Sequence, residues 1–187
     1  IKYGFNSNKI KVLQNGARED KFKFTEYPKN IHKSIYVGKI GNRKSQYKYQ
    51  NIPDIDFAGN YYNSTFDVKN KNYLGEWTKD VLYNNLTEYS NLILLSDGEA
   101  DPLVVKEALI CGLGVVVSKC ASANLDLNKN FIDVIENDKL NNISYVKEVI
   151  ERNREVCKIE RSNIREYGLN NFSWCKIIDK YCEITNI

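Results

Sequence analysis

Residues 91–118 read NLILLSDGEADPLVVKEALICGLGVVVS. The run Asn91–Ser96 has no polar alternation, the pattern of a strand buried on both faces. Val115–Ser118 (VVVS) is a second such run. Between them, Asp101 can cap a helix N-terminus and Pro102 suits a first helical position. Leu103 to Ile110 continue a helix predicted over about 102–112, and Gly112 suits its left-handed end. The result is one strand–loop–helix–strand unit, whose crossover is expected to be right-handed. Loop 97–102 then lies at the carboxyl end of a strand and the amino end of a helix. Open α/β sheets bind ligands there. Free N–H groups and the partial positive charge of the helix N-terminus favour phosphate.

Outward from this unit the same alternation continues. Ile35–Gly38 and Asp56–Gly59 read as strands, Tyr73–Gly75 as a short one, and Phe131–Ile135 as a further one. Helical patterns fall at about 78–90, 143–157, 160–167 and 173–185. The polar stretch 60–72 is expected to be irregular. Strands alternating with helices predict an α/β fold: a Rossmann-like open parallel sheet with helices on both faces. The chain has 187 residues, 42% of them hydrophobic, which supports one core and leaves little room for a second domain.

Net charge is +3, and the excess is spread out. Lys9, Lys11, Lys21 and Lys23 form a loose basic stretch that Glu19, Asp20 and Glu26 interrupt, so a nucleic-acid partner is not expected. The five cysteines are widely spaced with no C-x-x-C pair, against a disulfide framework or zinc site. That fits a reducing compartment, and the cytoplasm is the expected location. His32 is the sole histidine and reads as a surface residue, which leaves histidine-based nucleophilic catalysis little to work with. No apolar run approaches the ~20 residues of a transmembrane helix. The chain contains no methionine, so it reads as a fragment of a longer protein.

Two groups of residues carry candidate chemistry. Glu99 lies in the loop after the buried strand and Glu107 about a turn and a half into the following helix, so both carboxylates can face one site. Carboxylates accept hydrogen bonds from sugar or ribose hydroxyls. Gly38-Lys39-Ile40-Gly41-Asn42-Arg43-Lys44 follows the first strong strand. Its glycines allow close backbone approach, and Lys39 and Lys44 can neutralise a departing diphosphate. The loop is not a Walker A motif, and no G-x-G-x-x-G opens a helix.

In order along the chain, these residues resemble the C-terminal domain of GT-B-fold, group 1 type glycosyltransferases. The resemblance rests on Asn15-Gly16 with Phe22 or Phe24, YVGKIGNRK (36–44), FAG (57–59), YLG (73–75), LLSDGEADPLVVKEALICGLGVVVS (94–118) and NFSW (171–174). It implies a single donor-binding domain over 1–187, with 1–34 leading in from an N-terminal domain and 173–185 forming a C-terminal helix. It also implies roles. Glu107 would hold ribose hydroxyls, and Glu99 would lie against the donor sugar as the catalytic-site carboxylate. Lys39 and Lys44 would grip the diphosphate, with Gly38 beside them. Backbone N–H groups around Asp101, Pro102, Leu103 and Val104 would face sugar and phosphate. Gly59, Gly75, Glu76 and Trp77 would position the base, although a core role for Trp77 is the simpler reading.

The implied substrate is a UDP- or GDP-linked sugar. The expected acceptor is a glycan, lipid or protein bound through the N-terminal domain. Hexosyl or related transfer is expected to be retaining, with no metal and no cofactor beyond the donor. This fragment alone is expected to be inactive. Some residues depart from the pattern: residues 44–54 are short for the usual helix, Gly114 stands where proline is common, and Tyr61-Tyr62 replace small residues. The alternatives are a non-catalytic nucleotide-binding or interaction module with the same sheet, a GT-B epimerase or phosphorylase, and a receiver-like or flavodoxin-like domain.

Overall fold

The structure, a computed structural model, describes residues 10–185. Five parallel strands form its main sheet: β1 (Asn30–Val37), β3 (Ile55–Ala58), β5 (Tyr89–Leu94), β6 (Gly114–Ser118) and β7 (Ile132–Ile135). Their spatial order is β3-β1-β5-β6-β7. Every residue of β3, β5 and β6 is buried, as the uninterrupted apolar runs require. Register places Ile35 beside both Asp56 and Leu92, and Leu92 beside Val115. Lysine 9, part of the loose basic stretch, lies outside the described residues.

A second sheet is small. β2 (Ile40–Gly41) pairs in parallel with β4 (Tyr61–Asn63), so stretch 60–72 is not wholly irregular. The expected strand at Tyr73–Gly75 is instead a single bridge between Tyr73 and Phe57 at the sheet edge. Residues 46–49 make one helical turn, α1 (Gln46–Tyr49), where the family pattern has a longer helix.

α2 (Lys79–Asn85) begins at Thr78, whose hydroxyl accepts the Val81 N–H, and gives way to a 3-10 turn before β5. α3 (Leu103–Ile110) begins one residue later than expected. Pro102 is its non-helical N-cap residue at φ −69°, ψ 121°. Asp101 does not cap it, because its carboxylate turns to the backbone N–H of Asn15 and to the ammonium of Lys106. Gly112, at φ 80°, ends the helix in the left-handed region as its position suggests.

The two helices expected at 143–157 and 160–167 are one: α4 runs unbroken from Ile143 to Phe172. Its buried positions, 146, 149, 150, 153, 154, 157, 161, 164, 168 and 172, keep helical spacing throughout. Asn153, Arg154 and Arg161 occupy that stripe, so hydrophobicity alone shows a gap where the packing has none. These polar groups are satisfied. Asn153 accepts from Asn91 at 2.9 Å, and Arg154 donates to the Ser34 hydroxyl at 3.1 Å. Gly168 sits inside the helix because a Cβ there would lie 2.5 Å from the Leu109 carbonyl carbon of α3. α5 (Trp174–Thr185) closes the described chain.

Candidate functional site

The strand order sets the position of the site. The chain continues from β1 to β3 on one side and reaches β5 and β6 on the other, so the loops leaving β1 and β5 diverge. Such a topological switch point opens a crevice at the carboxyl edge of a parallel sheet. The first loop carries Gly38–Lys44, and the second carries Ser96–Asp101.

These loops are bonded to each other. Lys44 Nζ lies 2.6 Å from Glu99 Oε1, and the Ser96 hydroxyl donates to the same oxygen at 2.9 Å. Arg43 Nη1 donates to the Gly98 carbonyl at 2.6 Å, and the Asp97 N–H donates to the Arg43 carbonyl at 2.8 Å. Beneath them Tyr36 is fully buried. Its hydroxyl donates to the Lys44 carbonyl and accepts the Leu95 N–H. The Lys44 and Glu99 side chains are only 14% and 10% exposed, so the pair is shielded from bulk water.

Gly38 and Gly59 bring β1 and β3 loops into contact. A Cβ on Gly59 would sit 1.9 Å from the Gly38 carbonyl oxygen. The Gly59 N–H donates to the Gly75 carbonyl at 2.8 Å, which ties in the segment leading to Glu76 and Trp77. A cavity of about 580 Å³ opens against this platform, lined by Gly38, Lys39, Gly59, Glu76 and Trp77. A second, of about 360 Å³, includes Lys39 and Lys44. Lys39 and Tyr62 line both, with the ammonium 3.6 Å from the centre of the Tyr62 ring. Trp77 is half-buried and leans on Tyr89, so it serves the core and the cavity wall together.

The remaining expected residues line neither cavity, and Glu107 makes no bond to Lys44 or Glu99 among the described residues. Glu107 is half-buried in α3 and has its carboxyl pushed up to about 7 by burial, with Lys79 at the start of α2 pulling the other way. Asp101 accepts from Asn15 at 2.7 Å and pairs with Lys106 at 2.6 Å. Burial alone would raise the Asp101 carboxyl, but these bonds hold it below its ordinary value. Leu103 is exposed, Val104 half-buried and Pro102 buried. Gly75 takes the left-handed backbone at φ 74°. His32 is exposed in β1, and all five cysteines are free. Among the described residues no three or more His, Cys, Asp or Glu side chains gather, and no helix is long and apolar enough to cross a membrane.

Sequence reasoning missed Tyr36, Ser96 and Arg43. The motif spacing contains Arg43 and Ser96 but gives no reason to prefer them, and Tyr36 reads as an ordinary strand residue. Only the fold shows that its hydroxyl joins the two loops.

No protein-family model and no curated sequence matches the chain. Solved structures do. HepE of Anabaena, in complex with UDP and glucose, superposes with a TM-score of 0.73 at 16% identity, over 98% of this chain and 58% of that one. WaaG, a glycosyltransferase involved in lipopolysaccharide biosynthesis, gives 0.69 at 14%, over 98% and 58%. A glycosyltransferase from Rickettsia africae gives 0.68 at 15%, over 98% and 59%. The fold is that of one half of a GT-B glycosyltransferase. The chain spans about three-fifths of the length of those proteins.

Proposed function

We propose that this chain is the donor-binding, C-terminal domain of a glycosyltransferase that moves a sugar from a UDP- or GDP-linked donor to an acceptor. One observation carries the reading. Lys44 and Glu99, from the two loops that diverge at the switch point, meet within 2.6 Å, and α3 begins four residues after Glu99. A lysine suits the phosphates and a carboxylate the hydroxyls of a sugar diphosphate. The complexes of HepE with UDP and with UDP-glucose support the same donor class.

The residues divide the labour by their chemistry. Lys39 and Lys44 meet the diphosphate and offset charge as it leaves. Backbone N–H groups of Leu103 and Val104, at the open end of α3 beyond Asp101 and Pro102, add partial positive charge. Glu99 lies against the donor sugar and Glu107 accepts from the ribose. Gly59, Gly75, Glu76 and Trp77 frame the base. With lysines and a helix dipole supplying the positive charge, transfer is metal-independent in this reading, and it proceeds with retention. The acceptor, a glycan, lipid or protein, binds through a separate N-terminal domain, and the enzyme works in the cytoplasm.

A thermal-shift screen of the intact protein with UDP-, GDP- and dTDP-sugars tests this. At least one donor should raise the melting temperature by on the order of 5 °C at about 100 times its Kd. Lys44→Ala should remove about half of that shift or more. If no nucleotide sugar stabilises the protein at millimolar concentration, the assignment fails.

A further inference from the structure

The cavity of about 580 Å³ is lined by Gly38 and Lys39 after β1, by Gly59, Asn60 and Tyr62 after β3, and by Glu76 and Trp77. Asn60 Nδ2 donates to Glu76 Oε2 at 2.9 Å, which holds the carboxylate at the cavity's edge. That bond uses one lone pair of one oxygen. Both carboxylate oxygens keep acceptor capacity, and an ionised carboxylate offers no donor. Trp77 in the lining suits a planar ring, and the Lys39 ammonium, 3.6 Å from the centre of the Tyr62 ring, suits a phosphate.

The geometry points to guanine as the preferred base, with Glu76 as the residue that selects it. This rests on the nucleotide-sugar reading above and narrows it to one donor class. Guanine presents two adjacent donors, N1–H and N2–H, which a carboxylate accepts side by side. Uracil presents a single N–H between two carbonyl oxygens, and those oxygens face a carboxylate with repulsion. Adenine offers one donor beside an acceptor nitrogen. A carboxylate with only acceptors therefore pairs fully with guanine alone among the three.

Titration calorimetry of the intact protein with GDP, UDP and ADP decides the matter. GDP should bind about tenfold tighter than the other two, the gap of one charge-assisted hydrogen bond at a partly exposed site. Glu76→Gln should close that gap by weakening GDP while holding or improving UDP, since an amide offers uracil both a donor and an acceptor. Glu76 is exposed and makes its one bond to Asn60, so this variant keeps the fold. UDP binding as tightly as GDP, or a gap untouched by Glu76→Gln, overturns the guanine assignment and leaves the glycosyltransferase reading standing. Failure of all three diphosphates to bind overturns both.

Discussion

Lys44 Nζ and Glu99 Oε1 stand 2.6 Å apart although 55 residues separate them in sequence. Neither local structure nor a single helix face brings them together. The switch-point topology does, by ending β1 and β5 side by side. The ammonium also passes close to Gly38, where a Cβ would lie 3.8 Å from Nζ. An anion entering the crevice has to share this ammonium with Glu99.

Lys44→Ala should therefore weaken nucleoside diphosphate binding by roughly tenfold to a hundredfold, the scale of a charge-assisted contact. Binding of the free nucleoside should change by no more than about twofold, because in the proposed arrangement Lys44 meets phosphate alone. Calorimetry with UDP, GDP and the corresponding nucleosides measures both. Equal losses for nucleoside and diphosphate would place Lys44 away from the phosphates.

Glu107 gives the site a pH signature. Burial lifts its carboxyl from 4.5 to about 7, so in the folded protein it is half-protonated near neutrality. The folded state holds the extra proton between these values. Stability contributed by that proton is thus fully present below 4.5 and is lost as pH rises through about 7. Ligand binding runs the opposite way. Ribose hydroxyls donate best to the ionised carboxylate, so affinity should climb as pH rises through 7, by up to about tenfold per unit below it. Glu107→Gln should flatten the profile and lower affinity at pH 8. A wild-type profile flat between pH 6 and 8 would remove Glu107 from the ribose site.

Much of this fold is written in short-range patterns. The buried runs of β5 and β6 have no alternative to the middle of a parallel sheet, and Gly112 marks the end of α3. What the patterns miss has physical causes. Arg161 and Asn153 look like solvent-facing residues, so α4 reads as two helices, yet their hydrogen bonds are made inside the protein. Asp101 looks like a helix cap until buried Lys106 claims its carboxylate. At the site, the spacing of Glu99 and Glu107 is visible in the sequence. The contact of Lys44 with Glu99 is visible only through resemblance or structure, because it depends on which strands are neighbours.

Gly59 tests the platform under the larger cavity. Its φ of 154° is unfavourable for a side chain, and an added Cβ would meet the Gly38 carbonyl oxygen at 1.9 Å. Gly59→Ala must push the loops after β1 and β3 apart. The expected cost is about 2–4 kcal/mol from overlap and backbone strain together. Nucleotide binding should suffer as Gly38 and Lys39 move with the loop. Urea unfolding reads the first effect and calorimetry the second. A variant within about 0.5 kcal/mol of wild type would mean that these backbones are not in contact.

Arg161 tests how the segment before β1 is held to the sheet. It is buried in α4 with no carboxylate partner among the described residues, and burial lowers its guanidinium to about 10. Its donors go to peptide oxygens instead: Nε to Thr25 at 2.6 Å, Nη1 to Tyr89 at 2.8 Å, and Nη2 to Thr87. One side chain thus joins the lead-in segment, the 3-10 turn and the first residue of β5 to the longest helix. Arg161→Lys keeps the charge but replaces a rigid five-donor fork with three donors on one nitrogen, which cannot span those carbonyls. Left with unpaired buried carbonyls, the variant should lose about 2–4 kcal/mol. Urea titration should show a lower midpoint with an unchanged slope, the mark of lost stability rather than altered compactness. A lysine variant as stable as wild type would show that the planar fork, and not merely a positive charge, is dispensable here.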